Sequence, residues 1–414
     1  MPADPHIVVL SSLFPSSVQP GAGLFIRERM FRVGRQLPMA VVAPVPWFPL
    51  QGLLRRWKPG FRPGSPQCEK QDGFDVWYPR FLSVPGLLKG LDGVLMALGA
   101  LPRLWTLKRA GRLDLIDAHF AYPDGYAATL LGRWLRVPVT ITLRGTEVRL
   151  ARDPHLVCKL RAAMQYACRV FSVSESLRQV AIDMGIAPAH VRVVGNGVDA
   201  QRFSPMSKNE ARTALHLKHD GPVLVTVGAL VERKGFHRVI ELLPSLCQLH
   251  AGLTYLVVGG SSPEGDMGRQ LRRQVSELNL NDVVRFLGPL PPEQLRVPLS
   301  AADVFVLSTR NEGWANVLLE AMACGRPVVA TDVGGNAEVV CDDCLGTIVP
   351  FGADVALRTA IDHALRSQWD AAAIRRYAER NAWDLRVQAL VEEFRSIHAT
   401  SRAACAPPRR SGHV

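Results

Sequence analysis

The chain has no long unbroken apolar run, no repeated cysteine spacing, and few acidic residues in its first half. Each shortage excludes something. The best membrane-span candidate, residues 87–105, is interrupted by Lys89, Asp92 and Arg103. Its uncharged part, residues 93–102, is about half the length needed to cross a bilayer, so no spanning helix is expected. Met1-Pro2-Ala3-Asp4-Pro5-His6 lacks a basic flank, and residues 7–10 are too short for the apolar core of an export signal. A cytoplasmic protein is expected. Of eight cysteines, only Cys341 and Cys344 form a CxxC. A zinc site needs a second pair or spaced histidines, so reduced thiols and no metal are expected.

What is present points to a globular protein. The 414 residues are enough for two domains with full cores, and 48% are hydrophobic against 21% charged. Net charge is +12, unevenly spread. Residues 1–200 carry 25 Lys/Arg against 14 Asp/Glu, an excess of 11; residues 201–414 carry 24 against 23. The first half is therefore expected to face something anionic. Residues 53–62 and 101–109 interleave basic and aromatic side chains, and residues 87–101 form an amphipathic stretch. Together they fit an anionic membrane surface. No nucleic-acid recognition motif accompanies the charge, so no nucleic-acid partner is expected.

Short apolar runs alternate with helical patterns, the mark of α/β units around parallel sheets. Strands are expected at 7–10, 40–43, 75–80, 113–118, 137–143, 169–173 and 191–194, with Ser174 capping a following helix. A second series is expected at 223–227, 254–258, 283–287, 304–307, 328–330 and 347–349. The pattern predicts two doubly wound, Rossmann-like domains, residues 1–200 and 201–382, facing each other across a cleft. Residues 403–414 are expected to be a disordered tail.

The chemistry concentrates in Arg310 and the twenty residues after it. A buried strand precedes a loop carrying Glu312; a helix predicted to start at Asn316 and stop near Gly325 and Pro327 carries Glu320. Two carboxylates beside a helix N-terminus suit a ligand with hydroxyls and phosphates, such as a nucleotide sugar. The strand 223–227 leads through Gly228 to Arg233-Lys234-Gly235. There Arg233 can grip phosphate bidentately and Lys234 adds a point charge. This is neither a Walker loop nor a GxGxxG fingerprint. Gly334-Gly335-Asn336 is expected to let backbone approach a ligand, with Asn336 as an N-cap. His119, closing the strand 113–118, is expected to point into the cleft. Arg144-Gly145-Thr146-Glu147 ends the next strand in the same way. Gly21 and Gly23 form a flexible loop before a helix. No Asp-x-Asp triplet is present, so a divalent ion bridging a diphosphate is not expected.

These motifs resemble the retaining glycosyltransferases of the GT-B fold, in family GT4. Glu312 and Glu320 match the family's E-x7-E, and Arg233-Lys234-Gly235 matches its R-K-G. Gly195-Asn196-Gly197-Val198-Asp199 with Phe203 and Pro205 matches its N-G-V-D…F-P, and the residues from Glu320 to Val329 match E-A-M-A-x-G-x-P-V-V. The resemblance implies a nucleotide-sugar donor as substrate, with no cofactor. Arg233 and Lys234 would neutralise the leaving diphosphate, with Gly23 and Gly228 nearby. Glu312 would bind sugar hydroxyls and Glu320 the ribose. Gly313, Trp314, Ala315, Asn316 and Val317 would offer backbone groups. His119 would contact the sugar, and Arg144 and Glu147 would lie on the acceptor side. It also implies that helix 383–398 returns to the first domain. The EGWANVLLEAMA variant resembles bacterial enzymes of exopolysaccharide and wall-polymer synthesis. The expected reaction is retaining transfer to a lipid-linked or oligosaccharide acceptor at the inner face of the plasma membrane. A nucleotide-sugar epimerase and an inactive nucleotide-sugar-binding module on the same fold are the alternatives.

Overall fold

The apolar runs become strands because β-branched residues suit a pleated surface buried on both faces. The computed structural model describes residues 4–405, apart from 50, 58–60, 87–88, 218–220 and 263. Residues 406–414 of the expected tail lie outside the described residues, as do 58–60 of the basic segment 53–62 and 87–88 of the amphipathic stretch 87–101. The chain divides into two units: one runs to Asn196 and resumes at Asp384, the other spans Gly197–Trp383.

The first unit contains β1 (Ile7–Leu10), β2 (Met39–Val42), β3 (Val45–Trp47), β4 (Cys68–Gln71), β5 (Phe74–Trp77), β6 (Arg80–Leu82), β7 (Leu115–His119), β8 (Val139–Leu143), β9 (Arg169–Ser172) and β10 (Val191–Val193). Eight of these form a sheet in the order β10-β9-β8-β7-β1-β2-β5-β4. It is parallel except for β4, which runs antiparallel to β5. β3 and β6 pair separately, in parallel. Alternate residues face opposite ways. Val8, Leu10, Ile116, Ala118, Ile141 and Leu143 join one core cluster with the helices Asp92–Arg109 and Tyr126–Leu135. Asp117, His119, Thr140 and Thr142 alternate with them and are equally buried.

The second unit contains β11 (Val223–Val227), β12 (Thr254–Val258), β13 (Val284–Gly288), β14 (Val304–Leu307), β15 (Val328–Thr331) and β16 (Gly346–Val349). All are parallel, in the order β13-β12-β11-β14-β15-β16. In order of appearance this is 3-2-1-4-5-6, the doubly wound dinucleotide-fold order.

The helix Trp383–Cys405 folds with the first unit. Val387, Leu390, Val391 and Phe394 recur at helical spacing and are buried. Phe394 meets Phe171 edge-to-face at 5.9 Å, and Glu393 pairs with Arg169 at 3.3 Å and with Arg192. This helix continues through Cys405, so residues 403–405 are helical rather than part of a disordered tail. No helix among the described residues is long and apolar enough to cross a membrane.

Candidate active site

The strand order of the second unit reverses between β11 and β14, and ligands of such sheets bind beyond the strand ends at that point. After β11 comes Gly228, then the turn Glu232–Lys234 and the helix Phe236–Leu249. Gly235 joins turn to helix with φ 77°, and a Cβ there would lie 2.1 Å from the Ser308 carbonyl oxygen. Only glycine lets the cationic turn lie against the end of β14. The Arg310 amide donates to the Arg233 carbonyl oxygen at 2.8 Å. Thr309 Oγ1, with one proton to give, lies 3.0 Å from that carbonyl and 3.1 Å from Glu312 Oε1.

The cations converge on Glu312. Its Oε1 accepts from Lys234 Nζ at 2.6 Å and from Arg233 Nη1 at 3.2 Å. Arg233 Nη1 also donates to the Asn311 carbonyl oxygen at 3.1 Å, while Nε and Nη2 bind Glu264 bidentately at 3.0 and 2.9 Å. Burial opposes the charge on Arg233, but the bonds to Glu264 and the charges of Glu312 and Glu264 outweigh it and raise its pKa.

The backbone of Glu312 is fixed by the glycine pair. Gly334 has φ 55°, and a Cβ there would lie 1.8 Å from the Glu312 carbonyl oxygen. Asn336 is not the cap expected of it. Gly335 takes that position, and Asn336 Nδ2 donates to the Thr331 carbonyl oxygen at 3.0 Å. Gly313, Trp314 and Ala315 continue the loop, and Asn316, Val317 and Glu320 lie on the helix Asn316–Ala323. Gly325, at φ 72°, follows its end. Trp314 Nε1 is buried and has no hydrogen-bond partner among the described residues.

In the first unit β1 lies between β7 and β2, so its strand order reverses there too. Gly23 caps the helix Leu24–Gly34. His119, at the end of β7, is completely buried. Its Nδ1 lies 3.3 and 3.0 Å from Arg144 Nε and Nη2. A guanidinium only donates, so Nδ1 accepts and the proton sits on Nε2, 3.4 Å from Asp117 Oδ2. Burial and the nearby Arg144 and Arg29 hold the His119 pKa well below its ordinary value. Burial pushes Asp117 up to about 6, against the pull of Thr140, Arg29 and Arg144. Burial likewise pushes Asp124 up to about 7, although it accepts from Ser12.

His119, Arg144 and Glu147, expected at the sugar and on the acceptor side, are all buried at or just beyond the ends of β7 and β8. His119 Nε2 is buried and has no hydrogen-bond partner among the described residues. Arg144 is buried, donating also to Asn196 Oδ1 at 2.9 Å. Glu147 is completely buried and accepts from three backbone amides: Ala121 at 2.9 Å, Arg144 at 3.1 Å and Gly145 at 2.8 Å. It holds two strand-end turns together. Glu264, Thr309, Arg29 and Asp117 escaped assignment from sequence. Thr309 was findable, being two residues past a predicted strand beside the reversal. Nothing local marks Glu264 as the partner of Arg233.

The likeness to solved structures extends over nearly the whole chain. Sucrose-phosphate synthase from Thermosynechococcus elongatus is 21% identical with a TM-score of 0.73, covering 95% of this chain and 99% of that one. Anabaena HepE in complex with UDP is 20% identical with a TM-score of 0.69, covering 94% and 99%. The fold is therefore GT-B. The family "Glycosyl transferases group 1" matches residues 207–381, and "Glycosyltransferase Family 4" matches residues 59–202. A putative teichuronic acid biosynthesis glycosyltransferase of Bacillus subtilis (strain 168) is 30% identical over 337 residues, 80% of this chain and 81% of that protein. The chain belongs to the group 1 glycosyltransferases of family 4.

Proposed function

We propose that this glycosyltransferase moves a sugar, with retention, from a nucleoside-diphosphate sugar to a lipid-linked or oligosaccharide acceptor of a bacterial polysaccharide. The observation that carries the reading is the meeting of Arg233 and Lys234 at one carboxylate oxygen, at the strand-order reversal of the second sheet. Two preorganised cations there would stabilise charge on a departing diphosphate without a metal ion. Glu312, fixed between them, would orient the sugar hydroxyls. The acceptor hydroxyl would attack from the face the diphosphate leaves, and a departing phosphate oxygen would take its proton. The UDP bound by the similar HepE supports a nucleotide donor, and the teichuronic acid relative supports a polymeric acceptor. No observation favours an epimerase or a silent binding module.

The reading includes a place of work, the inner face of the plasma membrane. The helix Gln51–Trp57 exposes Leu53, Leu54 and Trp57, the last by 83%, beside Arg56. Apolar and basic side chains sharing an exposed helix favour an anionic bilayer. The enzymatic test is a panel of UDP-, GDP- and ADP-sugars with a lipid-linked acceptor fraction, followed by nucleotide release and the anomeric configuration of the product. Acceptor-dependent release with retention is expected. Inversion, or release coupled only to sugar isomerisation, contradicts the proposal.

A further inference from the structure

Arg233 divides its guanidinium between two carboxylates of unlike exposure. Nη1 goes to Glu312, whose side chain is 10% exposed. Nε and Nη2 form a fork on Glu264, whose side chain is 55% exposed. A guanidinium edge takes a carboxylate and a phosphate in the same bidentate geometry. On the donor-site reading above, Glu264 therefore holds the edge that a donor diphosphate requires.

We propose that Glu264 is an exchangeable counter-ion of Arg233, displaced when a nucleoside diphosphate binds, and that it sets how tightly the site holds donor and nucleotide product. Two cations face two carboxylates in this cluster, so it offers a diphosphate little net attraction until one carboxylate leaves. Glu264 is the one that leaves. Glu312 also receives Lys234 and lies within hydrogen-bond distance of Thr309, and its backbone is fixed against Gly334. Glu264 sits in a short turn closed by the Ser262–Gly265 backbone pair, just beyond β12. An exposed pair is screened by water and breaks at little cost. The proposal rests on the donor-site reading and adds a residue outside all the motifs. A site with this built-in competitor holds its spent nucleotide less tightly, which favours product release.

The test is calorimetric titration of the full chain with UDP, GDP and ADP separately. It compares the native protein, Glu264→Gln, Arg233→Met and the double variant. Thermal unfolding first establishes that each is folded, as expected where an exposed carboxylate becomes an amide. The Kd of the tightest nucleotide should fall about fivefold in Glu264→Gln. It should rise in Arg233→Met, and in that background the Glu264 substitution should have no further effect. If Arg233→Met weakens binding but Glu264→Gln leaves it unchanged or weaker, the exchange is overturned and the donor site stands. If Arg233→Met binds as the native protein does, or no nucleotide binds at all, both fall.

Discussion

Lys234 and Arg233 reach the same oxygen of Glu312, at 2.6 and 3.2 Å, and that meeting decides what each substitution should do. On the proposed function, Lys234→Ala removes a cation from the leaving-group side. Turnover should fall about 100-fold to 1000-fold, with thermal stability little changed, as measured by steady-state kinetics beside a melting curve. His119 gives a prediction of another kind. Its folded pKa lies below the ordinary 6.5, so the unfolded chain takes up the proton first as pH falls. Native stability is therefore fully present above about pH 6.5 and is lost as pH drops toward the folded value. Asp117 works the opposite way. Its folded pKa of about 6 lies above its ordinary 3.8, so stability rises as pH falls through that window. His119→Gln keeps an acceptor for Arg144 but cannot titrate. The variant's melting temperature relative to the native protein should climb between pH 7.5 and 5.5; a constant difference would contradict a buried neutral imidazole.

At the scale of elements, the glycine contacts are as decisive as the charges. Gly334→Ala puts a Cβ where the Glu312 carbonyl oxygen lies, so the Glu312 loop must shift. Donor KM should rise at least tenfold while the fold persists; unchanged kinetics would show that the loop position is unimportant. Most elements were legible from sequence. Every apolar run read as a strand is one, with ends moved by up to three residues, because a strand covered on both faces is predominantly apolar. β3, β4 and β6 are not among the expected strands. β4 is Cys-Glu-Lys-Gln and β3 contains proline, so neither resembles a buried run. Ser174 caps its helix as expected, accepting from the Leu177 amide at 3.3 Å. Asn336 does not, because its amide is drawn to the Thr331 carbonyl instead. The meeting of Arg233, Lys234 and Glu312 was legible because these residues sit at strand ends next to the reversal. Of the buried set, His119 and Arg144 were legible at strand ends, while Arg29 and Asp117 were not, because nothing local shows that a helix arginine and a mid-strand aspartate meet them. None of the Arg29 guanidinium nitrogens has a hydrogen-bond partner among the described residues, and no sequence pattern announces that.

At the scale of the whole molecule, charge and exposed aromatics belong together. Nearly all the excess positive charge lies in the first 200 residues, as does the exposed Trp57. The protein should cosediment with vesicles containing phosphatidylglycerol, less with phosphatidylcholine alone, and less again as Trp57→Ala; equal sedimentation in all three contradicts a membrane face. The most direct measurement is a crystal structure of the protein with a nucleoside-diphosphate sugar bound. The diphosphate should lie within hydrogen-bond reach of Arg233 and Lys234, and the sugar hydroxyls should reach Glu312. A donor seated away from these three side chains would contradict the central claim.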